Sequence, residues 1–180
     1  MEKLLNKAKD IKIIFFDIDD TLRVKDTGFM PASLTHIFEM LHQKGILTGI
    51  ATGRNLCGVV PEIKALHPDF FVTANGAYVI DKSDQVIYKQ SLPQKVVLDI
   101  VEWLTSSSAE YVVYGADQVV ASAWSDTMQS AIEPIYGQLP IDPDYHLTHN
   151  IYQMVTMSEH DDQLILPEKL SESVRMVRWH

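Results

Sequence analysis

The segment that most constrains this chain is the run Ile11-Lys12-Ile13-Ile14-Phe15-Phe16, apolar except for Lys12, which stops at Asp17-Ile18-Asp19-Asp20-Thr21. An apolar run without alternation reads as a strand covered on both faces, the pattern of a parallel sheet between layers of helices. The acidic loop that ends it then lies where open parallel sheets bind ligands, beyond the carboxyl ends of the strands. Residues two apart in extended chain point the same way, so Asp17 and Asp19 can converge on one atom while Ile18 packs inward.

The segments that follow supply the rest of such a sheet. Pro31 opens a stretch whose Leu34, Ile37, Phe38 and Leu41 recur at helical spacing, and Gly45 stands where a C-terminal cap belongs. Ile46–Ala51 reads as a second strand, Thr52-Gly53-Arg54 as a turn, Asn55–Leu66 as a second helix and Phe70–Ala74 as a third strand. Strand, helix, strand, helix, strand implies a parallel α/β sheet with right-handed crossovers.

From Asn75 the pattern changes. Asn75-Gly76 is a hairpin-turn signal, and Tyr78–Ile80 and Val86–Tyr88 alternate around a polar turn as a second hairpin. Beyond Pro93 the sequence predicts a helix with Val96, Val97, Ile100, Val101 and Leu104 on one face, then strands Tyr111–Tyr114 and Val119–Ala123. A helix Asp126–Gly137, a polar loop Pro140–Asn150, a strand Ile151–Met157, a helix Asp161–Leu170 and a last strand Val174–Trp179 complete it. The expected architecture is an incomplete Rossmann-like parallel core at 1–82 and an antiparallel α+β unit at 83–180.

Composition excludes several classes. Fifteen Lys and Arg against 24 Asp and Glu give a net charge of -9, a field that repels nucleic acid and anionic membrane surfaces. No window approaches the roughly 20 apolar residues of a membrane span, and no apolar stretch near Met1 suits a signal peptide. One cysteine, Cys57, cannot form an internal disulfide, so a cytoplasmic location is expected. The sequence places Cys57 in helix packing, and His36, His42, His146, His149, His160 and His180 on the surface, without zinc-ligand register.

Two carboxylates around a phosphate repel, by roughly 4 kcal/mol for unit charges about 4 Å apart at an effective dielectric near 20. A divalent cation is therefore needed, and oxygen ligands without His or Cys favour magnesium. At the end of the next strand Thr52 can donate its hydroxyl, Gly53 admits a phosphate close to the backbone and Arg54 adds charge. A helix beginning there would offer free amides to an anion; the alternative for Thr52 is an N-cap serving the helix alone.

Phe15-Phe16-Asp17-Ile18-Asp19-Asp20-Thr21-Leu22, Ala51-Thr52-Gly53-Arg54 and Thr73-Ala74-Asn75-Gly76-Ala77 together resemble the haloacid dehalogenase-like superfamily, the last in particular its Cof-type subfamily. The resemblance implies a phosphatase in which Asp17 is the nucleophile that forms an aspartyl-phosphate and Asp19 the general acid and base. It further implies that Thr52 holds the phosphate and that magnesium is bound by the Asp17 side chain, the Asp19 carbonyl and a later acid. Asn75 would lie near the substrate, and the segment after Ile80 would be an α+β cap that selects the leaving group. Asp20 stands where the family often has Gly.

The family's third-motif Lys and fourth-motif Gly-Asp are not found; none of the eight glycines precedes Asp, and Lys169 has a surface-like context. The expectation is therefore a chain that stops at the end of the cap, is weakly active by itself, and can self-associate through the incomplete core. The expected function is magnesium-dependent hydrolysis of small phosphate monoesters such as sugar phosphates or nucleotide-like compounds. Phosphomutase-type transfer, or a non-catalytic phosphate-binding fragment, are the rivals.

Overall fold

A computed structural model describes residues 10–158 and 164–178. The chain divides into two compact units, Met1–Lys89 and Gln90–His180.

The first unit is built on a five-stranded sheet in the order β1-β2-β3-β4-β5, formed by β1 (Ile13–Phe16), β2 (Leu47–Ala51), β3 (Phe70–Thr73), β4 (Tyr78–Asp81) and β5 (Val86–Lys89). β1, β2 and β3 are parallel, with Phe16 opposite Ile50 and Ile50 opposite Phe71; β4 and β5 are added antiparallel. The β4–β5 hairpin places the unit boundary at 89/90 and not at 82/83, which would divide paired strands.

α1 (Ser33–Gln43) follows the predicted apolar stripe. Its Phe38 is buried and packs on Phe16, ring centroids 5.1 Å apart, in a core shared with Ile18, Ile50, Ile63 and Phe71. Gly45 ends α1 at φ 68°, its N–H donating to the His42 carbonyl while that of Ile46 reaches Leu41, a cap only glycine adopts without strain.

Three expectations fail in this unit. Among the described residues β1 is not covered on both faces: it is an edge strand, and Phe15 is 48% exposed, its ring lying over Gly49, where any side chain would collide with it. The second helix is interrupted. Leu56–Gly58 forms one 3-10 turn capped by the Asn55 side chain, Val59 and Val60 are extended, and α2 is only Pro61–Lys64. Pro61 forces this, because the residue before proline is driven from the helical region and proline has no N–H to donate. Cys57 is consequently exposed and not packed in a helix.

At the amino ends of the strands, Asp69 joins three elements. It accepts the Thr48 N–H at 3.0 Å, its other oxygen meets Lys82 Nζ at 3.0 Å, and His42 Nε2 lies 3.3 Å away. Burial pushes the Asp69 carboxyl up, but the Thr48 amide, the Lys82 ammonium and His42 together outweigh it and hold it below the usual carboxylate range.

The second unit has a three-stranded antiparallel sheet, β7-β6-β8, from β6 (Glu110–Tyr114), β7 (Val119–Ala121) and β8 (Gln153–Met157). α3 (Gln94–Ser106) packs Val97, Ile100 and Leu104 against Tyr111 and Val113, whereas α4 (Asp126–Tyr136) packs Met128 and Ile132 against Val112 and Tyr114. Both faces of β6 are covered, which explains its apolar run Tyr111–Tyr114. Ser125 caps α4 by accepting the Met128 N–H.

The predicted loop 140–150 contains a single turn, α5 (Tyr145–Thr148), that buries His146, contrary to its expected surface position; His36, His42 and His149 are exposed. His160 and His180 lie outside the described residues. Of the helix expected over 161–170, residues 161–163 lie outside the described residues, 164–167 are irregular, and α6 is Glu168–Ser171, beginning after Pro167. Val174–Arg178 forms no strand, and Trp179 lies outside the described residues. Among the described residues that segment has no strand partner, and Arg178 donates to the Leu164 carbonyl.

Candidate active site

Three loops leave the carboxyl ends of adjacent strands β1, β2 and β3, and every residue singled out from the sequence lies on them. The first is folded around Ile18, which is fully buried and whose carbonyl receives the N–H groups of Leu22 and Arg23 at 3.1 and 2.9 Å. With Ile18 turned inward, Asp17 stands exposed at the end of β1 and Asp19 is partly exposed. Asp20 has φ 57° and accepts the Lys25 N–H. That left-handed backbone suits Asp, which is among the few side chains that tolerate it.

The second loop is held by its own side chains. Thr52 is buried, its N–H donates to the Val72 carbonyl, and its Oγ1 accepts the Arg54 N–H at 3.1 Å. Thr52 thus closes a short turn and caps no helix; the cap downstream is Asn55. The free-amide argument, which required a helix over Asn55–Leu66 directly after this turn, does not apply, because only the single 3-10 turn Leu56–Gly58 follows it.

Arg54 is the main departure from the sequence reading. Its side chain is 7% exposed, and its guanidinium donates from Nε to Asp19 Oδ2 at 2.9 Å, from Nη2 to Asp19 Oδ1 at 2.6 Å and from Nη1 to the Gly58 carbonyl at 2.9 Å. Two parallel N–H···O bonds to one carboxylate fix its plane as well as its position. The charge expected to face a phosphate is instead directed at Asp19.

The third loop closes on the second. Ala74 N–H donates to the Arg54 carbonyl at 2.8 Å and Asn75 N–H to the Thr52 carbonyl at 3.2 Å. The Asn75 carboxamide lies over Gly53. The structure thereby brings Asp19, Thr52, Gly53, Arg54 and Asn75 into one contact network, with Asp17 on the neighbouring strand end. Among the described residues no group of three or more His, Cys, Asp or Glu side chains is gathered to hold a metal, and no helix is long and apolar enough to cross a membrane.

Comparison with known proteins gives a consistent picture. A family model described as haloacid dehalogenase-like hydrolase matches residues 14–179. A Streptococcus pyogenes protein, provisionally named a bifunctional phosphatase/peptidyl-prolyl cis-trans isomerase, is 47% identical over 178 residues, covering 99% of this chain and 38% of that protein. YkrA of Bacillus subtilis, provisionally named a phosphatase, is 27% identical, covering 95% of this chain and 66% of its own. Among solved structures, a hypothetical protein from Geobacillus kaustophilus superposes with TM-score 0.79 at 30% identity, covering 94% of this chain and 66% of that one. A subclass IIB sugar phosphatase superposes with TM-score 0.76 at 22% identity, covering 94% and 66%, a likeness of fold. The chain thus spans from about two fifths to two thirds of the length of these relatives.

Proposed function

On the premise that this chain belongs to the haloacid dehalogenase-like hydrolase family, whose model spans nearly all of it, we propose that it is the part of a phosphatase that carries the nucleophile. What supports the proposal is that Asp17, the Arg54-held Asp19 and Thr52 lie on loops at the carboxyl ends of adjacent parallel strands.

In this reading a carboxylate oxygen of Asp17 attacks the phosphorus of a small monoester, a sugar phosphate or nucleotide-like compound. The new oxygen–phosphorus bond forms as the bond to the leaving oxygen breaks, and Asp19 gives that oxygen its proton. Asp19 then takes a proton from water, whose oxygen attacks the aspartyl-phosphate, releasing inorganic phosphate and restoring Asp17. Arg54 uses one lone pair on each Asp19 oxygen; a second remains on each to carry the proton. Thr52 Oγ1 accepts from the Arg54 amide and keeps its own hydrogen for a phosphate oxygen.

The oxygen donors here suit magnesium: the exposed Asp17 carboxylate and the Asp19 carbonyl, with Asp19's carboxylate occupied by Arg54. When bound, magnesium offsets the negative charge shared by the carboxylates and the phosphate. The unit Gln90–His180 serves as the cap that selects the leaving group, and the acidic chain works in the cytoplasm.

The test is release of inorganic phosphate from p-nitrophenyl phosphate and a panel of phosphorylated metabolites by the full-length protein. Magnesium-dependent release, lost in Asp17→Asn, is expected. Transfer of the phosphoryl group to another position of the same substrate without free phosphate would replace hydrolysis by phosphomutase chemistry.

A further inference from the structure

Ala74, Asn75 and Gly76 have φ of 48°, 54° and 95°, three consecutive residues in the left-handed region. Alanine gains nothing from that backbone, and such conformations persist only where the surroundings over-determine them. Here the surroundings are the backbone of the second loop. The Ala74 and Asn75 N–H groups are directed to the carbonyls of Arg54 and Thr52, one on each side of Gly53. Asn75 then covers the residue between them: a methyl group on Gly53 would lie 3.2 Å from Asn75 Oδ1 and 3.5 Å from Nδ2.

A residue whose only task is to turn β3 into β4 needs a left-handed backbone, which glycine provides at least as well as asparagine. What glycine cannot supply is the wall over Gly53. We infer that Asn75 is a positioning residue for the loop Thr52–Arg54: its carboxamide and backbone hold that loop so that Thr52 faces the phosphate and Arg54 stays in register with Asp19. The inference rests on the phosphatase reading for its kinetic consequence, but not for its geometry.

Gly53 provides a direct probe, because its own φ is not in the left-handed region and alanine there strains no backbone. Asn75→Gly, Gly53→Ala and the double variant are compared in the full-length protein. The measurements are kcat and KM for p-nitrophenyl phosphate with magnesium, affinity for inorganic phosphate by calorimetry, and thermal unfolding.

Asn75→Gly should lower kcat roughly tenfold with KM changed less than about twofold, since misplacing a positioned group by a fraction of an ångström costs this order in rate. Gly53→Ala should do the same alone and add almost nothing in the Asn75→Gly background, where the crowding is gone. Additive losses, a change in KM alone, or a lower melting temperature with normal kcat and phosphate affinity would each overturn the inference. If wild-type protein turns over no monoester, the hydrolytic reading fails, and the positioning role is then decided by whether the two substitutions are coupled in phosphate affinity.

Discussion

Replacing Arg54 by lysine keeps the positive charge and removes the fork. Lysine cannot bond both Asp19 oxygens and the Gly58 carbonyl from one position, so at least two of the three contacts, now at 2.6 to 2.9 Å, are lost. Hydrogen bonds to charged groups contribute about 1.5 to 3 kcal/mol each when buried. Asp19 retains 30% side-chain exposure, so water restores part of that loss, and a net destabilisation of about 2 kcal/mol follows. For a unit of this size each kcal/mol shifts the melting temperature by roughly 4 to 8 °C, so the first unit should melt about 8 to 16 °C lower by circular dichroism. Turnover should fall through kcat, because Asp19 loses its orientation, and KM for p-nitrophenyl phosphate should change little. A melting temperature within about 2 °C of wild type, combined with a raised KM and normal kcat, would show that the guanidinium serves the phosphate and not Asp19.

Three further outcomes follow from the same geometry. Asp69→Asn should destabilise the first unit by about 1 to 2 kcal/mol at neutral pH, through loss of its ion pair with Lys82. Because the folded carboxyl lies below its ordinary value of 3.8, its contribution is present above that value and lost as pH falls through the lower folded one; acid unfolding followed by fluorescence should be less steep in the variant. Gly49→Val should cost about 1 to 3 kcal/mol by forcing the Phe15 ring aside, and Phe15→Ala in the same chain should remove most of that cost in a urea titration. Chelation of magnesium should abolish turnover while leaving far-ultraviolet dichroism unchanged, because the first unit's core is assembled by Ile18, Phe38, Ile50 and Phe71 without the ion.

The elements legible in the sequence were those whose signal is local. The α1 stripe, its Gly45 cap and the β4–β5 hairpin each combine periodicity with a cap or turn residue, and all form nearly as read; the helix read over Asp126–Gly137 forms as Asp126–Tyr136. The segment 55–66 departs from the helix the sequence predicts because the missing N–H of Pro61 and its effect on Val60 decide the local conformation. β1 departs from the doubly covered strand its sequence predicts because a continuous apolar run reports only that side chains are hydrophobic. It does not show what covers them, and Phe15 lies over Gly49 at a sheet edge. The site was legible as a set of loops, since parallel strands place their following residues at one end. The direction of each side chain was not: nothing near Arg54 in sequence indicates that it turns to Asp19, 35 positions earlier, because that depends on strand register and on the turn closed by Thr52 Oγ1.

The central claim, that Asp17 is the nucleophile, is tested most directly by trapping its covalent intermediate. The full-length protein would be mixed with a turned-over monoester and magnesium, quenched in acid and reduced with borohydride, which converts an acyl phosphate on aspartate to homoserine. Mass spectrometry of the tryptic peptide Ile13–Arg23 should then place homoserine at position 17, with Asp19 and Asp20 unchanged and no conversion in Asp17→Asn. Homoserine at another aspartate, or steady turnover with Asp17 unmodified under every quench time, would contradict the account.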